Sequence, residues 1–453
     1  MTLEIDARVH VVGVAGAGMS GVARLLAERG CRVSGSDAAA GVVLDELAAS
    51  GIRVDVGADP SHGADALEVL WSPAVSPEHP ELAAARERGA RLISRAELLE
   101  RLADLRPVVG VTGTHGKTTA TSMLVWVMSA AGRDDARLLG APVRGIGANG
   151  HWGGPALLME VDESYGTFAR LAPAALGLLN VEADHLDHYG SVGALHDAFA
   201  ELVERTTGPV VAWVDDPGAA RVAERVRRPV HTVGARGWVR LERVREEPEG
   251  VRARLVHPEA GEIAIALRVP GRHNAANAAV VAALSVALGV DVGAIEEGLA
   301  SFRGAPRRFE RRGAWRGMTV IEDYAHLPGE IRATIEAARG AGYERVVAVF
   351  QPHRVSRTLA LAAQFGDAFA DAEAVVISDV YTAGEPNPQR VTGQLVAEAV
   401  DATRGGVRYA PTLDDVVNAI GELAREARPD ALLLLGAGDI AARVLERLEG
   451  LEP

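Results

Sequence analysis

The chain has 453 residues, too many for one hydrophobic core, and at ~150 residues per domain its length points to three. Apolar residues make up 48% and charged residues 24% of it, the balance of an ordinary globular protein, and the net charge of −14 argues against nucleic acid as a bulk partner. Cys31 is the one cysteine, which excludes an intrachain disulfide and suits a reducing compartment. The first residues lack a basic stretch followed by an apolar core, and no window approaches the ~18 apolar residues of a membrane helix. A cytoplasmic protein is therefore expected.

Val9–Val14 reads as a strand, followed by a turn, a helix over Ser20–Arg29 and a second strand, Cys31–Ser34. The turn carries Gly16-Ala17-Gly18-Met19-Ser20-Gly21, a G-x-G-x-x-G pattern, and Asp37 ends the next strand, which is the spacing of a dinucleotide fingerprint with its ribose-binding acid. Alternation continues with a helix at Leu44–Ser50, strands at Ile52–Val54 and Ala66–Trp71, a strand-end loop from Ser72 to Pro77 and a helix at Glu97–Leu102. Asp104-Leu-Arg-Pro107 reads as a linker.

Next comes Val108-Val-Gly-Val-Thr-Gly113-Thr114-His115-Gly116-Lys117-Thr118-Thr119, a β-branched run, a glycine turn and then a helix pattern to Ala131. Strand, glycine loop and helix start together form a phosphate cradle: loop N–H groups face the anion, Lys117 reaches the β/γ oxygens, and the Thr118 hydroxyl suits Mg²⁺. The general motif is met loosely, because Val111 stands where it has glycine. Of 47 basic residues Lys117 is the one lysine, so the other 46 are arginine; a lone lysine here points to a need for a compact ammonium rather than a planar fork. Pro155–Glu160 and Ala175–Asn180 read as strands of the same block, ending in Glu160-Val-Asp-Glu-Ser164 and leading to His185. Carboxylate, hydroxyl and imidazole from Glu160, Thr118 and His185 make a candidate Mg²⁺ set beside a nucleotide.

Three strand-like runs, Val239–Val244, Val251–Val256 and Ile263–Val269, suggest a small antiparallel piece before a helix that reaches Leu288. Asn274 and Asn277, three apart at its start, share a face and can read a purine edge or a ribose. Gly304-Ala-Pro-Arg-Arg308 reads as a second linker, and Arg307, Arg308, Arg311 and Arg312 form a basic run there. Alternation resumes with strands at Thr319–Ile321, Val346–Phe350, Ala374–Ser378 and Ala431–Leu435. Two of them lead into Asp323-Tyr324-Ala-His326 and Gln351-Pro-His353-Arg354-Val-Ser-Arg357, whose imidazoles, guanidinium groups and phenol suit a small carboxylate. The expected fold is α/β with three domains in series: a Rossmann-like domain over 1–105, a central parallel sheet of P-loop ATPase type with its antiparallel piece over 106–304, and a second Rossmann-like domain over 305–453.

Taken in order, these motifs resemble the Mur ligase family of peptidoglycan synthesis. The matching pieces include Ala17-Gly-Met-Ser-Gly21, Gly35-Ser-Asp37, Gly113-Thr-His-Gly-Lys-Thr-Thr119, Glu160-Val-Asp-Glu-Ser164, Asn180-Val-Glu-Ala-Asp-His185, Gly271-Arg-His-Asn-Ala-Ala-Asn277, Arg307-Arg-Phe309, Asp323-Tyr-Ala-His326, Phe350-Gln-Pro-His-Arg354, Ala383-Gly-Glu385 and Gly436-Ala-Gly-Asp439. The resemblance implies that Gly16, Ala17, Gly18, Met19, Ser20, Asp37 and Ser72 hold a UDP-sugar rather than a nicotinamide dinucleotide. It implies ATP on Gly113 through Thr119, with contacts from Asn274, Asn277, Arg308 and Asp323, and Mg²⁺ on Thr118, Glu160 and His185. Tyr324, His326, His353, Arg354 and Arg357 would surround an incoming amino acid. The member most similar in pattern joins L-alanine to UDP-N-acetylmuramate, with Lys117, Glu160 and His185 as its catalytic groups. Among the departures, Leu327 and Ala325 stand in a stretch that is usually Gly-His-His-Pro.

Three other readings compete for the same motifs. A nicotinamide-dependent dehydrogenase accounts for Gly16–Gly21 and Asp37 but leaves the phosphate loop and third block without a role. A P-loop GTPase needs an Asn-Lys-x-Asp motif, which a chain whose one lysine is Lys117 does not contain. A sibling ligase that adds a later residue typically holds a metal through a carbamylated lysine past the His185 position, and no lysine follows Lys117.

Overall fold

The computed structural model describes residues 4–72, 74–448 and 450–452. The chain forms three sheets in series. The first comprises β1 (Arg8–Val12), β2 (Arg32–Asp37), β3 (Arg53–Val56), β4 (Glu68–Trp71) and β5 (Arg91–Ser94), all parallel, in the order β3-β2-β1-β4-β5. Strand order reverses beside β1, so the loop after it opens into the crevice where such sheets bind ligands. The helix Ala17–Glu28 begins inside the glycine motif, three residues earlier than the sequence suggests. Gly18 and Gly21 are thus helical, and what they provide is close approach. A Cβ on Gly18 would lie 2.9 Å from the Arg95 guanidinium, and one on Gly21 would lie 3.0 Å from Leu138.

The second block contributes β6 (Val108–Thr112), β7 (Ala136–Leu138), β8 (Gly150–His151), β9 (Leu157–Val161), β10 (Ala175–Leu178), β11 (Val210–Trp213), β12 (His231–Gly234), β13 (Val239–Glu247), β14 (Gly250–His257) and β15 (Gly261–Leu267). The fully buried β6 runs between β9 and β10, parallel to both, which places Val111 beside Glu160 and Thr112 beside Leu178. Parallel pairing continues from β10 through β11 to β12, and on the other side β9 pairs with β7.

The last block holds β16 (Glu310–Trp315), β17 (Met318–Asp323), β18 (Val346–Phe350), β19 (Ala374–Ser378), β20 (Val407–Ala410) and β21 (Ala431–Leu435), in the order β16-β17-β21-β18-β19-β20. Only β16 is antiparallel to its neighbour. Arg311 and Arg312, read from the sequence as part of a basic run, are edge-strand residues of β16, and Arg312 pairs with Glu310 at 2.8 Å. Short strands such as β5, β7, β8, β11, β12 and β20 have no clear sequence signature, because four or fewer residues cannot show a period.

The chain divides into two compact units. One runs to Arg243 and takes in Ala253–Ile265 and Ala276–Ala305; the other holds Val244–Arg252, Ala266–Ala275 and the chain from Pro306. The first sheet and β6 to β12 of the second lie in the first unit and share a hydrophobic core, which joins Val22, Leu25 and Leu98 to Leu138, Leu157 and Leu176. In the second unit, one core on Ile321, Phe350 and Phe365 and another on Val320, Val349 and Val444 include side chains from alternate positions of β17 and β18.

Within the first sheet lies a buried polar network. His10 Nε2 and the Ser36 hydroxyl meet Glu81 Oε2 at 2.9 and 2.6 Å, His62 meets Glu81 Oε1 at 3.1 Å, and His10 Nδ1 meets Ser34 at 2.9 Å. Burial works to raise the pKa of Glu81, but the bonds from His10, Ser36 and His62 outweigh it and hold the carboxyl below its ordinary value. Truncation would leave His10 and Ser36 buried without this acceptor, so Glu81→Ala should cost about 3 kcal/mol. Urea unfolding checks this, and a loss below about 0.5 kcal/mol would mean that the network is dispensable.

Candidate active site

Two clusters gather the residues singled out from the sequence, one in each unit. In the first, the loop after β6 needs glycine at two points. Gly113 (φ 139°) approaches Asn180 so closely that a Cβ would lie 2.9 Å from its carbonyl oxygen, and Gly116 (φ 79°) caps the helix Lys117–Ala130. Asn180 clamps the loop. Its carbonyl accepts from Thr114 N at 3.1 Å, its Oδ1 from His115 N at 2.7 Å, and its Nδ2 donates to the His115 carbonyl at 3.1 Å. Thr114 Oγ1 accepts from Glu182 N, and His115 meets the Glu182 carboxylate at 3.1 Å. The buried Asn277 amide packs against Gly116, where a Cβ would stand 2.8 Å from its Oδ1.

Lys117 folds back over this loop. Its Nζ donates to the carbonyls of Gly113 (2.7 Å) and Thr114 (3.2 Å) and to Glu163 Oε2 (2.8 Å), and it stands 3.8 Å from Asp162. Burial disfavours the ammonium, but Glu163 and Asp162 outweigh it and raise its pKa. Burial likewise pushes Glu163 up to about 7 against the pull of Lys117. For Asp162 burial is overcome by Lys117 and Arg95, which hold it at about 2. Both carboxylates stand in the Glu160–Ser164 motif, whose local pattern gives them no role; only folding reveals that the lysine turns to them.

The structure brings Thr118 and Glu160 together. Gly140 N donates to Glu160 Oε1 at 2.9 Å and the Thr118 hydroxyl also bonds to this carboxylate. Burial dominates and raises the Glu160 pKa. His185 adopts a left-handed conformation (φ 53°) ahead of a short helix, with its Nε2 3.5 Å from Asp184. Among the described residues no three His, Cys, Asp or Glu side chains form a group that could hold a metal, so Glu160 and His185 share no such cluster.

Around the first glycine loop, Asp37 Oδ2 accepts from Ala15 N at 2.9 Å, so the acid at the end of β2 ties down the turn. Met19 is buried in the core, and the Ser20 hydroxyl bonds to the Ala17 carbonyl and to Asn149. Asn149 Nδ2 also donates to that carbonyl at 2.8 Å. The side chains of Met19 and Ser20 thus serve packing and their N–H groups donate to the Gly16 carbonyl, which leaves the helix start at Ala17 and Gly18 as the part of this motif suited to a diphosphate. Gly16 caps the helix, and Ser72 Oγ accepts from Ala74 N at 3.3 Å. Arg95, which the sequence did not single out, lies flat against Gly18 with Nη1 3.7 Å from Asp162.

In the second unit the ring of Tyr324 lies 5.3 Å from that of His326, which lies 6.1 Å from that of His353, and His353 stacks on Tyr381 at 5.5 Å and 11°. Arg357 Nη1 reaches His353 Nδ1 at 3.3 Å. The Arg307 and Arg308 guanidinium groups both lie 4.8 Å from the Tyr324 ring, and Arg307 also bonds to Glu322 and to the carbonyls of Gly436 and Gly438. Asp323 accepts from Phe309 N and Ala325 N, each at 2.7 Å, and burial lifts it to about 6. Asn274 Nδ2 donates to the Pro270 carbonyl at 2.7 Å. Leu327 and Ala325 are buried in the hydrophobic core. A crevice of about 270 Å³ at the carboxyl ends of the strands is lined by Gln351, Asp379, Tyr381, Thr412 and Asp439.

Three family models match the chain: Mur ligase family, catalytic domain, over residues 8–106; Mur ligase middle domain, over 111–285; and Mur ligase, glutamate ligase domain, over 307–438. The UDP-N-acetylmuramate–L-alanine ligase of Kineococcus radiotolerans is 47% identical over 445 residues, covering 96% of this chain and 94% of that one. The chain belongs to the Mur ligase family. The enzyme of the same name from Acidothermus cellulolyticus is 43% identical over 97% of this chain and 94% of its own. Among solved structures, the UDP-N-acetylmuramate–alanine ligase of Thermotoga maritima superposes with a TM-score of 0.80 at 28% identity, covering 97% of this chain and 98% of that one. A murein peptide ligase from Psychrobacter arcticus shares the fold, with a TM-score of 0.74 at 22% identity over 98% and 99%. Three α/β domains in series are thus the family architecture.

Two outcomes follow from this geometry. Lys117→Arg puts a wider, planar cation where an ammonium meets two loop carbonyls and Glu163, and should lower turnover by about a hundredfold or more with the fold intact. Steady-state rates with a melting curve check this, and turnover within a few-fold of wild type would remove Lys117 from the phosphate site. The second concerns His353, which burial, with His326, Arg357 and Arg354, pulls down to about 3. It is neutral in the fold, whereas in the unfolded chain it binds a proton below about 6.5. The unfolded state gains protons first, so stability is lost as pH falls from about 6.5 towards about 3. Wild type should therefore lose stability relative to His353→Gln between about pH 7 and about pH 5 in urea unfolding; a pH-independent difference would contradict a neutral imidazole.

Proposed function

We propose that this chain joins L-alanine to the lactyl carboxylate of UDP-N-acetylmuramate, with cleavage of ATP to ADP and phosphate, as a step of peptidoglycan precursor synthesis. The observation that carries the reading is the Lys117 loop, closed on Asn180 and faced by Glu160, Asp162 and Glu163, in a chain of an amide-ligase family. Residues 1–105 form the UDP-sugar domain in this reading, 106–304 the ATP domain and 305–453 the amino-acid domain.

The chemistry dictates what these groups do. A carboxylate resists attack by an amine, so the γ-phosphoryl group of ATP first moves to the lactyl carboxylate, forming an acyl phosphate and ADP. Lys117 turns from Glu163 to the phosphate oxygens, and the N–H groups of Gly113 to Thr119 cradle them. Thr118 and Glu160, whose side chains meet, would hold Mg²⁺ through hard oxygen donors, His185 would add an imidazole nitrogen, and the local carboxylates outnumber Lys117 and Arg95. When bound, the ion supplies charge neutralisation for the transferring phosphoryl group. Asn277, Asn274, Arg308 and Asp323 serve the nucleotide. Tyr324, His326, His353, Arg354 and Arg357 orient the amino acid, whose amine attacks the acyl carbon and releases phosphate as the amide forms. The backbone of Gly16 to Ser20, with Asp37, Ser72 and Arg95, serves the UDP-sugar. No helix among the described residues is long and apolar enough to cross a membrane, and a cytoplasmic location accords with soluble nucleotide substrates.

A sibling ligase is the competing reading, and the absence of any lysine after Lys117 disfavours it. Phosphate release measured over a panel of UDP-muramyl acceptors and amino acids tests the choice. UDP-N-acetylmuramate with L-alanine should be turned over best, and removing bicarbonate should leave the rate unchanged. A preference for D-glutamate, or a clear need for bicarbonate, would assign the chain to a sibling.

A further inference from the structure

Ala383-Gly-Glu385 belongs to the motifs that mark the family resemblance, yet the reaction as derived leaves it without a role. Glu385 lies far in sequence from the helix Val355–Phe365, but its carboxylate sits at the start of that helix. Oε2 accepts from Ser356 N at 2.9 Å, Oε1 accepts from the Ser356 hydroxyl at 2.9 Å, and the same oxygen is ion-paired with Arg354 Nε. Arg354 itself has φ 70° and ψ 134°, a conformation that L residues other than glycine rarely adopt and that persists only where neighbours impose it. Two backbone bonds also fix it: Arg354 N donates to the Tyr381 carbonyl and Tyr381 N to that of Pro352, each at 2.8 Å. They hold the Tyr381 ring stacked on His353. One turn into the helix, Arg357 reaches back to His353 Nδ1.

We infer that Glu385 is a positioning residue for the amino-acid half of the reaction: it neutralises Arg354, locks the strained turn before the helix, and so sets where His353 and Arg357 stand. The inference rests on the reading of His353 and Arg357 as ligands of the incoming amino acid. It also separates the two arginines. Arg354 is held by a carboxylate from its own chain, which fixes where it stands beside the amino acid, while Arg357 points its guanidinium at the imidazole.

The test is a set of Michaelis constants for wild type, Glu385→Ala, Glu385→Gln, Arg354→Ala and the Arg354→Ala/Glu385→Ala double variant, each with a melting curve. Glu385→Ala should raise KM for L-alanine about tenfold, with KM for ATP and for UDP-N-acetylmuramate within about twofold of wild type. Glu385→Gln keeps an acceptor for Ser356 but loses the ion pair, and should move in the same direction by less. If Glu385 acts through Arg354, the double variant should be no worse than the poorer single one. An unchanged KM for alanine, an equal rise in all three constants, or additive losses would overturn the inference. Failure of wild type to use L-alanine would instead sink the functional reading, and the amino acid it does accept then takes alanine's place in the same comparison.

Discussion

A buried ammonium must be answered by carbonyls and carboxylates, and the first unit is built to answer Lys117. An unpaired cation in a largely buried site is costly, so the loop carbonyls of Gly113 and Thr114 and the carboxylate of Glu163 converge on one point. That requirement passes outward. Glu163 is fixed by the end of β9, and its carbonyl accepts from the Tyr189 hydroxyl at 2.6 Å. Asp162 pairs with Arg95, which rests on Gly18 in the helix that follows β1. The phosphate loop and the first glycine loop are therefore linked through three charged side chains, and both belong to one compact unit with a common core.

In each sheet the candidate site residues lie beyond the carboxyl ends of the strands, and in the first sheet they stand beside the place where strand order reverses. The reason is the same each time. A parallel strand followed by a helix leaves N–H groups of the helix start pointing at the sheet edge, where an anion can be held. β1 leads to Gly16, β6 to Gly116, and β18 to the His353–Arg357 segment. The second unit adds a different device, since its Rossmann-like sheet supports a row of aromatic and imidazole rings rather than an open glycine loop.

Arginine and lysine divide the work by shape. Arg307 spans Glu322 and the carbonyls of Gly436 and Gly438 with a planar fork, a task that needs several donors in fixed directions. In the proposed reaction Lys117 offers a point charge that leaves Glu163 for a phosphate oxygen without rebuilding a bidentate geometry. A chain with 46 arginines and one lysine makes that division visible.

The amino-acid sequence by itself determined the fold class, the three-block order and the position of the phosphate loop. These rest on local signals, namely β-branched runs, helix periodicity and glycines where a loop must turn or approach closely. It also offers Glu160, Asn277, His353 and Arg357 as candidates, because polar residues at strand ends and helix starts stand out against apolar runs. The tertiary structure alone decided which charges meet. Glu163 lies 46 residues from Lys117, Asn180 lies 65 from His115, and Glu385 lies 31 from Arg354. No local pattern encodes such pairs, because they arise only when separate strands end at the same edge of a sheet. The structure also shows the Met19 side chain in the core, the Ser20 hydroxyl bonded to Asn149, and Arg311 and Arg312 on an edge strand. Burial and partner choice are properties of the folded whole, and a side chain's chemistry follows from them.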